Sequence, residues 1–267
     1  MNGRLPDYFR LGDFGISPED VVQCTLHCSP AQVGPRVILM PSWGPEVFAE
    51  VAEGITETVS GVWQLRYAGK QFTVVRSGIG APLAGEAVLA LGCTDAETLV
   101  FTGSFGGLEN KVDIGDLLLV EKSVCGDGFS RYLSPSVVPG DCLEQPVAPD
   151  APLSDHLGRV AQNLCRSRAV TLHRGTIYSI DCVLPQFFRL GHFVDKLGCC
   201  GLEMETAAVF RAARLVGIKA AALLAVSDNP VQMKSLYSGR TKADRDRRLS
   251  AMRRVLAPAI LDALSSF

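Results

Sequence analysis

Apolar residues fall into short runs that stop at glycine or proline, separated by stretches in which apolar positions recur every three or four residues. The first pattern predicts buried strands, the second helices packed on one face. Residues 35–40 (PRVILM) are the first such run, and residues 46–54 after them predict a helix. The run at 71–76 ends in the turn 77–82 (SGIGAP), followed by a helix over 83–91. Strand, glycine turn, helix is the α/β unit. A further strand at 98–102 breaks at 103–107 (GSFGG), and VDIGD at 112–116 leads into a strand at 117–120. Residues 134–152 carry five prolines and read as an irregular surface excursion. Beyond them, helices are predicted over 154–167 and 205–215 and strands over 171–180 and 220–226. The last helix spans 242–264; Leu249, Met252, Leu256, Ile260 and Leu264 form its stripe, and Pro258 kinks or divides it. Seven Lys and Arg residues between 240 and 254, interspersed with Asp244 and Asp246, read as its solvated face. No fixed-period repeat interrupts this order. The pattern is that of one α/β domain over residues 1–267, with 1–34 as an N-terminal extension packed on it.

Composition narrows the class of function. With 47% hydrophobic and 20% charged residues, the chain is built to bury a core, not to stay disordered. A net charge of -2 supplies no bulk field for nucleic acid or anionic membranes, so neither is expected as a partner and an anionic ligand must be held locally. The nine cysteines contain no CxxC pair and read as reduced thiols, mostly small core residues. Four histidines stand at no metal-ligand spacing, so no metal or cofactor is expected. The start lacks a signal-peptide stretch and no run of about 20 apolar residues occurs, so a cytoplasmic protein is expected.

Three segments rich in glycine or proline follow predicted strand ends: 41–45 (PSWGP), 77–82 and 103–107. In an open α/β sheet ligands bind beyond the carboxyl ends of the strands, where glycine lets backbone N–H groups approach closely. None matches a Walker or dinucleotide fingerprint. Residues 201–208 (GLEMETAA) set two carboxylates around a methionine at a helix start. They serve either as dipole complement or as a ribose clamp, with Glu205 accepting from two hydroxyls and Met204 packing on the sugar. Asp228, in the SDNP that ends the strand at 220–226, is either a turn former or an acid placed to protonate a leaving group.

Taken together and in order, SGIGAP, TGSFGGL at 102–108, VDIGD, GLEMETAA and AVSDN at 225–229 resemble the nucleoside phosphorylase and nucleosidase family over roughly residues 36–264. The resemblance implies a single three-layer α/β/α domain with a central mixed twisted sheet, forming a homo-oligomer such as a dimer or hexamer. Its implied activity is cleavage of the glycosidic bond of a nucleoside. It assigns Met204 and Glu205 to ribose, Ser104, Phe105, Gly106, Val183 and Leu184 to the base pocket, and Asp228 to protonation of a purine. Uridine-acting members carry a glutamine and an arginine two residues apart; Gln186 and Arg189 are three apart, which favours a purine.

The phosphate-binding part of the pattern is altered. Where phosphorylases of this family keep three arginines, this chain has Glu46, the arginine-free segment Phe101-Thr102 before Gly103 and, by ungapped alignment, Thr58. Each charged hydrogen bond is worth roughly 1.5–3 kcal/mol, so losing two or three costs about 3–9 kcal/mol of phosphate binding. Hydrolysis, with water in place of phosphate and Glu46 as the water-positioning base, is therefore the favoured expectation. The alternatives are phosphorolysis at an anion site rebuilt from Ser42, Arg76 and Gly80, and a nucleoside-binding protein without catalysis. Trp43 either fills the vacated phosphate site or belongs to the core.

Overall fold

The computed structural model describes residues 4–267. The expected domain and extension begin at residue 1, so their first three residues lie outside the described ones. Eleven strands form one mixed sheet: β1 (Arg36–Met40), β2 (Gly54–Val59), β3 (Val62–Tyr67), β4 (Lys70–Arg76), β5 (Thr98–Phe101), β6 (Ser104–Gly107), β7 (Leu117–Gly126), β8 (Pro146–Val147), β9 (Leu172–Ile180), β10 (Cys199–Glu203) and β11 (Lys219–Asp228). Their order is β2-β3-β4-β1-β5-β11-β6-β10-β9-β7-β8. The strand β11 belongs to two assemblies. Its first half, Lys219 to Ala222, runs parallel to β5 in the open part of the sheet. Its second half pairs with β6, and a further antiparallel pairing with β7 closes β11, β6, β10, β9 and β7 into a ring.

Helices cover both faces: α1 (Pro18–Leu26), α2 (Ala81–Leu91) and α4 (Thr206–Leu215) on one, α3 (Ala151–Arg168), α5 (Lys242–Ala251) and α6 (Ala257–Ser266) on the other. Period two sorts the strand side chains between them. In β1, Val37 and Leu39 enter the core shared with Val22, Val88 and Val209, whereas Ile38 and Met40 enter the core shared with Leu157, Leu256 and Ile260. The result is the three-layer α/β/α arrangement, with ligand space at the carboxyl ends of β1, β5, β10 and β11. Ahead of the sheet, Ser17 and Asp20 form a capping box on α1, which buries Val22 and Leu26. None of the described helices is long and apolar enough to cross a membrane.

Several elements differ from the sequence reading. Residues 46–54 hold one 3-10 turn, Pro45–Phe48, in place of a helix. They lead into β2 and two hairpins that alternation did not reveal, because β2 is only half-buried. The β3–β4 turn has Ala68 and Gly69 both at positive φ, the backbone that suits the twist of a hairpin. The strand predicted at 117–120 runs on to Gly126, since Glu121 and Lys122 are exposed and masked its continuation. The glycine turn at 103–107 is largely a strand, β6, paired on both sides. The C-terminal helix stays right-handed throughout and carries a π turn, Met252–Leu256, between α5 and α6, with Pro258 just beyond that turn.

Beside β6, Gly201 of β10 has no room for a side chain. A Cβ there would meet the Phe105 ring at 2.4 Å and the carbonyl oxygen of Gly106 at 2.9 Å. Gly201→Ala is expected to destabilise the protein by roughly 1–3 kcal/mol through overpacking, seen as a lower Tm in thermal denaturation.

Candidate active site

A cavity of about 600 Å³ opens at the carboxyl ends of the strands. One wall is β6, which contributes Ser104, Phe105 and Gly106. Thr102 Oγ1 donates to the Leu223 carbonyl at 2.8 Å and anchors the chain just before it. Opposite Gly106, in register, stands Asp228 at the end of β11. Its Oδ1 lies 2.7 Å from Ser227 Oγ. The following Asn229 fixes the turn: its side-chain amide donates to the carbonyls of Glu109 and Val112, both at 2.8 Å. Asp228 is 4% exposed, and burial raises its pKa against the opposing pull of the Ser227 hydrogen bond and the Arg240 charge. A carboxyl kept closer to its acid form and facing a cavity is placed to give up a proton.

The second wall is the end of β10 and the start of α4, with Met204 and Glu205. Buried Glu203 organises it. Its carboxylate accepts from Ser179 Oγ of β9 and from the backbone N–H groups of Glu205 and Thr206, both at 2.7 Å. Burial pushes both carboxyls upward, and on Glu203 the hydrogen bonds from Ser179, Glu205 and Thr206 oppose it. Glu205 is raised to about 8, by burial first and by the neighbouring Glu203 second. Its Oε1 accepts from the N–H of Gly80 at 2.6 Å, in the SGIGAP turn. Gly80 has φ 106° and ψ 152°, a backbone only glycine adopts easily. Its amide therefore holds Glu205 and is not a free donor for an anion.

The third wall was not legible as a site. Arg240 and Arg248, from the stretch expected to be a solvated face, both line the cavity. Arg248 lies with its guanidinium carbon 5.4 Å from the Trp43 ring centroid and donates through Nη2 to Ser104 Oγ, while its buried Nε has no partner. Arg240 donates to the carbonyls of Ser227 and Leu236. Among the described residues neither arginine forms an ion pair. Burial and the like charge of Arg240 both lower the pKa of Arg248. Leu249, expected on the apolar stripe, is 42% exposed instead. The π turn adds a residue to the helix and rotates the part before it, so the inner face carries Arg248 in its place. The signal available in the sequence was the spacing from Arg248 to Met252.

Four expected residues stand elsewhere. Glu46 accepts from the N–H of Gly44 at 3.2 Å and lines a neighbouring cleft that shares Trp43 and Arg248 with the cavity. Arg76 is exposed at the end of β4, 5.3 Å over the ring of Trp63, in a neighbouring cleft that shares Ser42 with the cavity. Gly80 is the third, bonded to Glu205 as above. Leu184 is 67% exposed, while Val183 and Gln186 line the cavity. They straddle a 3-10 turn, Leu184–Arg189, where residues three apart fall on the same side.

Residues 46–260 match the family described as the phosphorylase superfamily. Guanosine phosphorylase of Halorubrum lacusprofundi is 30% identical over 167 residues, 62% of this chain and 64% of that protein, so the aligned stretch is under two thirds of its length. Uridine phosphorylase of Thermococcus kodakarensis is 25% identical over 248 residues, 84% of each chain. The purine nucleoside phosphorylase of Roseobacter denitrificans is 29% identical over 216 residues, 77% of this chain and 87% of that one. In fold, the purine nucleoside phosphorylase of Toxoplasma gondii, solved with immucillin-H, superposes with a TM-score of 0.72 at 19% identity, covering 91% of this chain and 96% of the other. The family match covers most of the chain, and this chain belongs to the phosphorylase superfamily.

Proposed function

We propose that the cavity cleaves the N-glycosidic bond of a purine-type nucleoside with phosphate as the acceptor. The reading rests on one observation: two arginines that form no ion pair among the described residues line the cavity, Arg248 of them bonded to Ser104. Buried positive charge of that kind is stabilised by an anion, and a guanidinium presents donors that fit phosphate oxygens. Arg248 and Ser104 would take the phosphate, Met204 and Glu205 the ribose, and Phe105, Gly106, Val183 and Gln186 the base. A phosphate oxygen attacks the anomeric carbon as the carbon–nitrogen bond breaks. Asp228 supplies a proton to the base, which leaves neutral, and the other product is a pentose 1-phosphate. Charge grows on the departing base as the bond stretches, so a positioned acid is most useful there. The side-chain amide of Gln186 offers the base edge both a donor and an acceptor.

Hydrolysis is the second reading. It is favoured by Glu46, the segment Phe101-Thr102 and Thr58 at the positions where the resemblance expects arginines, and it loses support from the placement of Glu46 outside the cavity. A nucleoside panel incubated with and without phosphate separates the two. Free base together with pentose 1-phosphate, only when phosphate is present, is the expected outcome; equal release in phosphate-free buffer would establish hydrolysis.

Arg248→Ala should raise the KM for phosphate about 10- to 100-fold, the loss of one charged hydrogen bond, with a smaller change in the KM for nucleoside. For the acid, Asp228→Asn should lower kcat on purine nucleosides by about 10²–10⁴-fold while leaving nucleoside binding, followed by calorimetry, nearly intact.

Glu205 gives a prediction in pH. Its carboxyl sits near 8 when folded against an ordinary value of 4.5, so the folded protein holds a proton that the unfolded chain releases. The stabilisation is complete below the unfolded value and is lost as pH rises through the folded one. Relative to wild type, Glu205→Gln should therefore gain several degrees in Tm between about pH 5 and about pH 9, even as activity falls.

A further inference from the structure

Outside the cavity, two cysteines meet where the surface excursion docks on the sheet. Cys125, in β7, is fully buried, and Cys142, in the excursion, is half-buried. Their sulfurs are 3.4 Å apart. The contact is built by the backbone as well as the side chains: Cys125 N–H donates to the Gln145 carbonyl at 3.2 Å, and Glu144 N–H donates to the Cys125 carbonyl at 2.7 Å. The excursion is held from outside too, by His192 Nε2 at 2.6 Å from Glu144 Oε1. A disulfide needs its sulfurs at about 2.05 Å, a closure that side-chain rotation and a small loop shift supply.

We propose that Cys125 and Cys142 form a reversible disulfide in the folded protein, in exchange with a small-molecule disulfide of the glutathione class. The two thiols divide the work by their surroundings. Cys142 is reachable from solvent, and its thiolate attacks the small disulfide, forming a mixed disulfide and releasing one thiol. Cys125 is buried and beside Asp127, and its pKa is pushed up to about 12 by burial first and by the Asp127 charge second. It is therefore a poor first nucleophile. Its sulfur attacks Cys142 Sγ, releases the second small thiol and completes the bond, while its proton leaves toward Asp127 Oδ2, 3.3 Å away. Two protein thiols are oxidised and one small disulfide is reduced to two thiols.

The ring so formed encloses residues 126–141. Within it, Gly128 N–H donates at 2.9 Å to Oδ2 of Asp181, which stands two residues before Val183 of the cavity wall. Oxidation thus fixes a loop that leans on the base side of the site.

The test uses the full chain with the exposed Cys24 and Cys182 changed to serine, so that neither forms adducts. After incubation with glutathione disulfide, the intact mass should fall by two hydrogens. A peptide map should join the Cys125 and Cys142 peptides, and Tm should rise by about 5 °C, reversibly on adding dithiothreitol. Cys142→Ser in the same background should abolish the cross-link and the Tm rise. A stable glutathione adduct on Cys142 with a free Cys125, no reaction at either, or a cross-link to another cysteine would each overturn the proposal. Circular dichroism of Cys142→Ser separates a lost bond from a lost fold.

Discussion

A carboxylate almost sealed from water, Glu203, joins the three elements on which the cavity depends. Burying a carboxyl without partners is expensive, and Glu203 has Ser179 Oγ and two backbone N–H groups aimed at it. Those same bonds set the end of β9, the end of β10 and the first turn of α4 relative to one another. Ser179 is in turn 3.0 Å from Ser123 of β7 and accepts from Ala207 N–H, so the network reaches into the ring of strands. Glu205 is the beneficiary. Its backbone is held by Glu203 and its carboxyl by the turn at Gly80, which leaves the side chain at the cavity wall with little freedom to lose on binding.

Against that fixed wall, the balance of charge is unusual. The loop after β1 carries Glu46 where the family pattern expects an arginine, and the cavity receives its guanidinium from α5, on the opposite layer. Trp43, from the same loop, lies under Arg248 and shields it. The sequence left open whether Trp43 filled a vacated site or belonged to the core; its ring packs against the core of the α3–α6 face and also lines the cavity beside Arg248. Arg240 and Arg248 set two positive charges near Asp228, where they lower a pKa that burial raises.

Much of the fold could be read from the chain because buried strands and amphipathic helices leave strong periodicities. The parallel strands β1, β4, β5 and β11 are apolar on both faces, and α2, α3 and α4 carry clear stripes. What escaped was β2, β3, the continuation of β7 past Glu121 and β10, which is buried throughout but only five residues long and holds a glycine and a glutamate. At the site, the motifs that place backbone survived translation into space, so Ser104, Phe105, Gly106, Met204, Glu205 and Asp228 converge. The residues that depend on helical phase did not. Leu184 gave way to Gln186 because a 3-10 turn repeats every three residues, and Arg248 was hidden because a π turn shifts the phase of the helix before it. Neither shift is visible in a count of apolar positions made at 3.6 residues per turn.

The π turn has a consequence for the charge of the site. A helix that gains one residue turns everything ahead of it by about 100°, so a side chain already present on the solvent face is carried inward without being replaced. In this chain the side chain so turned is Arg248, so the charge of the cavity depends on one residue of backbone in the π turn.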